Sequence, residues 1–168
     1  AVARDDLADG GASLFAQTVE ALHEEDGGIR TEVLIPDFEG SVEALEAVVR
    51  SAPNVVNHNV ETVPRLYGRV RPQADYTRSV RLLSTVKELD PNVVTKSGLM
   101  VGLGETKDEV VKVMQDLREA RCDLLTIGQY LQPSDKHHPV VDFVSPEEFD
   151  ELRQIGMDTG FVAVASGP

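Results

Sequence analysis

Short aliphatic, β-branched runs alternate with longer segments of helical apolar spacing along almost the whole 168-residue chain. Few architectures accept that order, because each strand must be followed by a helix that covers it. Residues 12–25 read as a helix with Leu14, Phe15, Thr18, Val19 and Leu22 on its inner face, stopped by Asp26-Gly27-Gly28. Residues 32–36 read as a strand. Ser41 is then a helix cap ahead of Leu45, Val48 and Val49. Residues 54–62 read as the next strand, followed by a basic loop and a short helix through Pro72. Residues 75–89 form a helix with Val80, Leu83 and Val86 inward, and residues 93–103 a strand. Thr106 and Glu109 make a capping box for a helix reaching Arg121. A strand over 124–131 leads to a loop with Pro133, His137 and His138. Ser145-Pro146-Glu147-Glu148 opens the last helix, and residues 161–165 are a final strand. Residues 1–11 read as a loop.

The pattern predicts a parallel sheet with right-handed crossovers, in units of about 30 residues. An eight-unit barrel takes about 250 residues, so a partial barrel or an open sheet fits this length better. The chain is expected to be one domain over residues 1–168. It ends directly on Ala165-Ser166-Gly167-Pro168, which reads as a cut-off end.

Composition narrows the function. The formal charge is −13, which argues against nucleic acid or anionic lipid as a general partner. No stretch has the roughly 20 apolar residues of a membrane span. Cys122 is the single cysteine, so neither an intrachain disulfide nor a cysteine-held iron–sulfur cluster is available within this sequence. His137 and His138 are adjacent and point apart, a poor pair for a metal, and no metal ligands are expected.

Functional groups in parallel α/β folds gather at the C-terminal ends of strands. Asn57, Asn59 and Glu61 alternate, which would place three polar side chains on one face of a central strand. They read either as a bonded polar network or as ligand contacts. His58 points the other way and reads as a packed, bonded histidine. Lys96 lies within a strand and needs a partner, either Glu61 or a ligand carboxylate. Gly98 to Thr106 is a glycine-bearing strand exit in which Lys107 breaks the dinucleotide fingerprint and Glu105 repels a pyrophosphate. An uncharged heteroaromatic against open backbone suits it better. Cys122 reads as structural. Arg65, Arg69 and Arg71 read either as a solvated loop or as a clamp for acidic groups of a substrate or partner.

Five collinear blocks carry a resemblance. They are Val2 to Ala12 (with Arg4-Asp5-Asp6 and Asp9-Gly10-Gly11), Asn57-His58-Asn59-Val60-Glu61-Thr62-Val63-Pro64-Arg65, Thr95 to Thr106, Gly128-Gln129-Tyr130-Leu131-Gln132-Pro133, and Val164-Ala165-Ser166-Gly167-Pro168. Together they resemble the lipoyl synthases, which are radical S-adenosylmethionine (SAM) enzymes. The resemblance implies an α/β fold, a partial (β/α)6 barrel of radical SAM type, here truncated at both ends. It implies SAM and two [4Fe–4S] clusters in the full-length protein. One is held by a C-x3-C-x2-C motif, the other by a cysteine triplet and a serine in an R-S-S-Y segment. Neither cysteine motif occurs in this chain. The fragment is therefore expected to hold no cluster ligand and no catalytic residue, and to be inactive alone.

The implied reaction inserts two sulfur atoms at C6 and C8 of a protein-bound octanoyl group. The implied partners are an octanoylated carrier protein or lipoyl domain and an electron donor such as ferredoxin or flavodoxin. The implied location is the cytoplasm of a bacterium, with an organelle as the other option. The resemblance assigns Asp9, Gly10 and Gly11 to the methionine amino group, and Asn59 and Glu61 to ribose and methionyl polar groups. It assigns Lys96 and Ser97 to the carboxylate, Gly102, Gly104 and Glu105 to the adenine side, and Leu131 to packing beside adenine. The alternatives are another radical SAM barrel enzyme and a SAM-binding fragment without redox activity.

Overall fold

Thr106 and Ser145 show how the sequence starts its helices. Each hydroxyl accepts the backbone N–H three residues on, and Glu109 and Glu148 reach back to the cap N–H. Ser41 and Asp75 cap two further helices through Ala44 and Arg78 N–H. The computed structural model describes Arg4 and residues 6–168. The rest of the N-terminal run, including Val2, Ala3 and Asp5, lies outside the described residues.

In chain order the elements are α1 (Ala12–Glu25), β1 (Glu32–Leu34), α2 (Val42–Arg50), β2 (Val55–Asn57), the single-turn α3 (Tyr67–Val70), α4 (Tyr76–Leu89), β3 (Val94–Val101), α5 (Lys107–Glu119), β4 (Leu124–Gln129), α6 (Pro146–Thr159) and β5 (Ala163–Gly167). The strands form one parallel sheet in the order β1-β2-β3-β4-β5. This is the expected α/β alternation. It has the topology of a partial barrel, with five strands described and no closure between β1 and β5.

Register gives the sheet two unlike faces. Val33, Val56, Leu99, Leu125, Ile127 and Val164 share the face that packs on the helices, and all are buried. Against them lie Val48, Leu83, Val86, Val113, Leu117 and Phe149. The opposite face carries Glu32, Asn57, Lys96, Gly98, Thr126, Gly128 and Ala165. The same face also carries Leu34, Val55, Val94, Met100 and Leu124, none of them fully buried. Buried Lys87 in α4 is neutralised by Asp123 at 2.5 Å and also donates to the Val93 carbonyl. Removing either partner of so enclosed a pair costs about 3–5 kcal/mol.

Three expectations need correction. The strand read over 54–62 stops at Asn57, and pairing resumes only at an isolated bridge between Glu61 and Leu99. Leu14 and Leu22 of α1 are 45% and 40% exposed, because this helix packs through Ala12, Phe15 and Val19 instead. The last strand is Ala163–Gly167 rather than 161–165, since Phe161 turns into the core.

Candidate functional site

Beyond Asn57 the backbone leaves the ladder and returns to β3. The Glu61 N–H donates to the Gly98 carbonyl and the Met100 N–H donates to the Glu61 carbonyl. Glu61 is held there at φ 65°, a left-handed conformation rare for a non-glycine residue. Such strain persists only where the surroundings over-determine it. They do here: Val60 is gripped by the Ser97 hydroxyl at its N–H and by the Tyr67 hydroxyl and Arg71 guanidinium at its carbonyl.

His58 anchors the same segment from behind. One ring nitrogen lies 2.9 Å from the Ile35 carbonyl and the other 3.0 Å from the Ser79 hydroxyl. Burial holds its pKa below the ordinary imidazole value. It is thus the packed, bonded histidine the sequence suggests.

The strained turn presents Asn59 and Glu61 to two adjoining cavities at the C-terminal ends of the strands. One, about 630 Å³, lies between the β1 exit and α3, beside His58 and Arg71. The other, about 500 Å³, lies over Gly98, Met100, Thr126, Gly128 and Ala165. Both are in the size range of small-molecule sites. The Asn59 side-chain oxygen is buried without a hydrogen-bond partner, as is that of Asn57. An orphaned buried acceptor asks for a donor.

The arginines separate. Arg65 makes a two-pronged pair with Glu109 at 2.7 and 2.8 Å, holds the Gly104 carbonyl, and brings the Glu109 carboxyl down to about 2. Arg71 lines the cleft, donates to the Asn59 carbonyl, stacks over Tyr67, and has no ion pair among the described residues. It was indistinguishable from Arg65 in the sequence.

The other expected residues line neither cavity. Asp9 accepts the N–H groups of Gly11 and Ser13, and the Ser13 side chain together with these N–H groups brings its carboxyl down to about 2. Gly10 and Gly11 turn at φ 62° and 89°, packing the loop on Phe38 and Arg4. Lys96 is paired with Glu32 at 2.8 Å, and the same carboxylate oxygen takes the Asn57 amide. Lys96 therefore pairs with Glu32 rather than with Glu61. Ser97 is fully buried on the helix-facing side, an outcome of strand alternation. Glu105 accepts the Gly102 and Leu103 N–H groups and closes its own loop. A Cβ at Gly102 would strike the Asp142 carbonyl and Gln129, so the loop over 140–142 covers this turn, with Gly104 against Val141. Leu131 lies beyond β4 and is 66% exposed.

Small residues at Thr126, Gly128, Ala165 and Gly167 were missed as cleft-forming. Their period-two spacing on β4 and β5 was the available signal. Cys122 is fully buried, with its thiol pushed up to about 12 by burial and by Asp123. Among the described residues no cluster of three or more His, Cys, Asp or Glu is placed to hold a metal.

The family model described as the radical SAM superfamily matches residues 5–117. The chain belongs to the radical SAM superfamily. It is 60% identical over 167 residues to a lipoyl synthase of Caldanaerobacter subterraneus subsp. tengcongensis, covering 99% of this chain and 58% of the relative. A lipoyl synthase of Aquifex aeolicus is 56% identical, with 99% and 60% covered. The chain thus spans about three-fifths of the length of these relatives. Among solved structures, methylornithine synthase (PylB) superposes with a TM-score of 0.66 over 91% of this chain and 51% of its own, at 15% identity. That likeness concerns the fold alone. Among the described residues, no helix is long and apolar enough to cross a membrane.

Proposed function

We propose that this chain is the SAM-binding part of a lipoyl synthase. The full-length protein would insert sulfur at C6 and C8 of an octanoyl group on a carrier protein or lipoyl domain, drawing electrons from ferredoxin or flavodoxin in the cytoplasm. One observation supports the ligand most: the strained Asn59–Glu61 turn, with its orphaned Asn59 oxygen, stands at a cleft of small-molecule size.

The polar groups of the cleft match those of SAM. Its ribose hydroxyls and ammonium are donors for Asn59 and Glu61. Its carboxylate suits Arg71, which makes no ion pair among the described residues, better than Lys96, which Glu32 already neutralises. Gly128 leaves open backbone where a flat base would lie close, and Gly98 makes room for the Thr126 and Asn59 side chains. Ser97 acts through Val60 by fixing the turn. Asp9, Gly10, Gly11, Gly102, Gly104, Glu105 and Leu131 line neither cavity, and no contact to the ligand is assigned to them. SAM, when bound beside a reduced cluster, supplies a 5′-deoxyadenosyl radical. Cys122 is too enclosed and too weakly acidic to ligate iron, so no step of that chemistry is assigned to this chain.

Glu61→Ala and Asn59→Ala in the full-length protein test the assignment. Each removes contacts worth about 1–3 kcal/mol, so SAM affinity is expected to drop about 10- to 100-fold by calorimetry. Affinity within twofold of the parent in both variants would remove the basis for this reading.

A further inference from the structure

The Val60 carbonyl accepts from three donors: the Thr62 N–H at 2.8 Å, the Tyr67 hydroxyl at 2.6 Å and the Arg71 guanidinium at 3.4 Å. The first of these bonds spans only two residues. It closes a three-residue turn centred on Glu61, whose φ is 65°. A turn of this hand is rare and strained. The strain therefore sits on the residue whose side chain faces both cavities. The two side chains on the Val60 carbonyl, Tyr67 and Arg71, come from α3 and its C-cap.

Those two side chains differ in what else they do. Arg71 divides its Nη1 between the Asn59 and Val60 carbonyls, at 3.2 and 3.4 Å, and also lines the cleft. Tyr67 lines neither cavity and is 7% exposed. Its single hydroxyl proton goes to Val60. Its ring meets Tyr76 edge-on, with centroids 5.5 Å apart, and Arg71 lies 5.7 Å over its face. A ring held on two sides fixes the point in space that the Val60 carbonyl must meet.

We propose that Tyr67 is a positioning residue for the ligand site: it touches no ligand, and its hydroxyl holds the Val60 carbonyl so that the strained turn aims Glu61 into the cleft. This rests on the functional reading above. A buried tyrosine usually finds one hydrogen bond, whatever its role. This bond is distinguished by opposing strain at a residue assigned to the ligand. Without it the turn relaxes, and the strain released offsets part of the lost bond. The fold is then little affected, and the aim of Glu61 is lost. Thr62 and Arg71 still serve the carbonyl in Tyr67→Phe, which orphans no acceptor and keeps the ring packing.

The test measures SAM affinity by calorimetry in the cluster-loaded full-length protein. The variants are Tyr67→Phe, Tyr76→Phe, Glu61→Ala, and Tyr67→Phe combined with Glu61→Ala. Tyr67→Phe is expected to weaken SAM binding about five- to tenfold. Tyr76→Phe gives up a hydroxyl bond to Asp116 at 2.8 Å, outside the grip on Val60, and should stay within about twofold of the parent. Because Tyr67 acts through Glu61, adding Tyr67→Phe to Glu61→Ala should cost less than about a further twofold. Equal losses in the two tyrosine variants, full additivity in the double variant, or unchanged affinity in Tyr67→Phe overturns the positioning role alone. Unchanged affinity in Glu61→Ala also removes it, and if Asn59→Ala is unchanged as well, the functional reading falls with it.

Discussion

Gly98→Ala separates the cleft from the fold that carries it. A Cβ at this position would lie 2.6 Å from the Thr126 hydroxyl oxygen and 2.9 Å from the Asn59 side-chain oxygen. Both are closer than real Cβ atoms approach, so one neighbour must move. Gly98 is outside the left-handed region, and alanine adds no backbone strain there. The cost is overpacking, about 1–3 kcal/mol. Thr126 relieves its contact by rotation, which gives up a long bond to the Ser97 carbonyl. Asn59 can only retreat from the position where its oxygen is presented to the cleft. Thermal unfolding should therefore show a modest loss, and calorimetric SAM affinity in the full-length protein a drop of about 10- to 100-fold. Adding Thr126→Ala removes the nearer clash and not the Asn59 contact. The double variant should regain most of the stability and little of the affinity. Recovery of both together, or affinity within twofold of the parent in Gly98→Ala, would refute the argument.

His58 is held neutral by burial, so the unfolded chain takes up a proton before the folded one does. Its contribution is complete above about pH 6.5 and is lost as pH falls toward the lower folded value. Thermal melts at pH 7.5 and 5.5 should show that loss, and His58→Ala, destabilised by about 2–4 kcal/mol, should flatten it. Glu105→Ala frees the Gly102 and Leu103 N–H groups; amide hydrogen exchange in this turn should quicken while exchange in β1 and β2 stays the same. Anaerobic reconstitution of this chain alone should incorporate no stoichiometric cubane by iron assay, because its one thiol is buried; four irons per chain would contradict the reading of Cys122.

What could be read in the sequence was whatever is decided within a few residues. Thr106 with Glu109 and Ser145 with Glu148 are local devices, and both helices start where those pairs place them. His58 was separable from Asn59 because neighbours on an extended chain point apart. Several of the failures involve distant partners. Nothing near Arg65 marks it as the partner of Glu109, 44 residues on, while Arg71 faces the cleft. Lys96 found Glu32, 64 residues earlier, instead of Glu61. The strand expected through Thr62 broke at Asn57 because hydrogen bonds to β3 and a grip on Val60 outweigh local β preference.

The strand order has a consequence for how the chain folds. Each strand pairs only with those immediately before and after it in the sequence, so the sheet can grow by accretion, one βα unit laid against the last. Damage to an outer unit is then felt mainly by its single neighbour. The eight-residue β3 is different, since it alone joins the β1–β2 half to the β4–β5 half. A lesion there divides the nascent sheet into two pieces, neither of which carries both walls of the cleft.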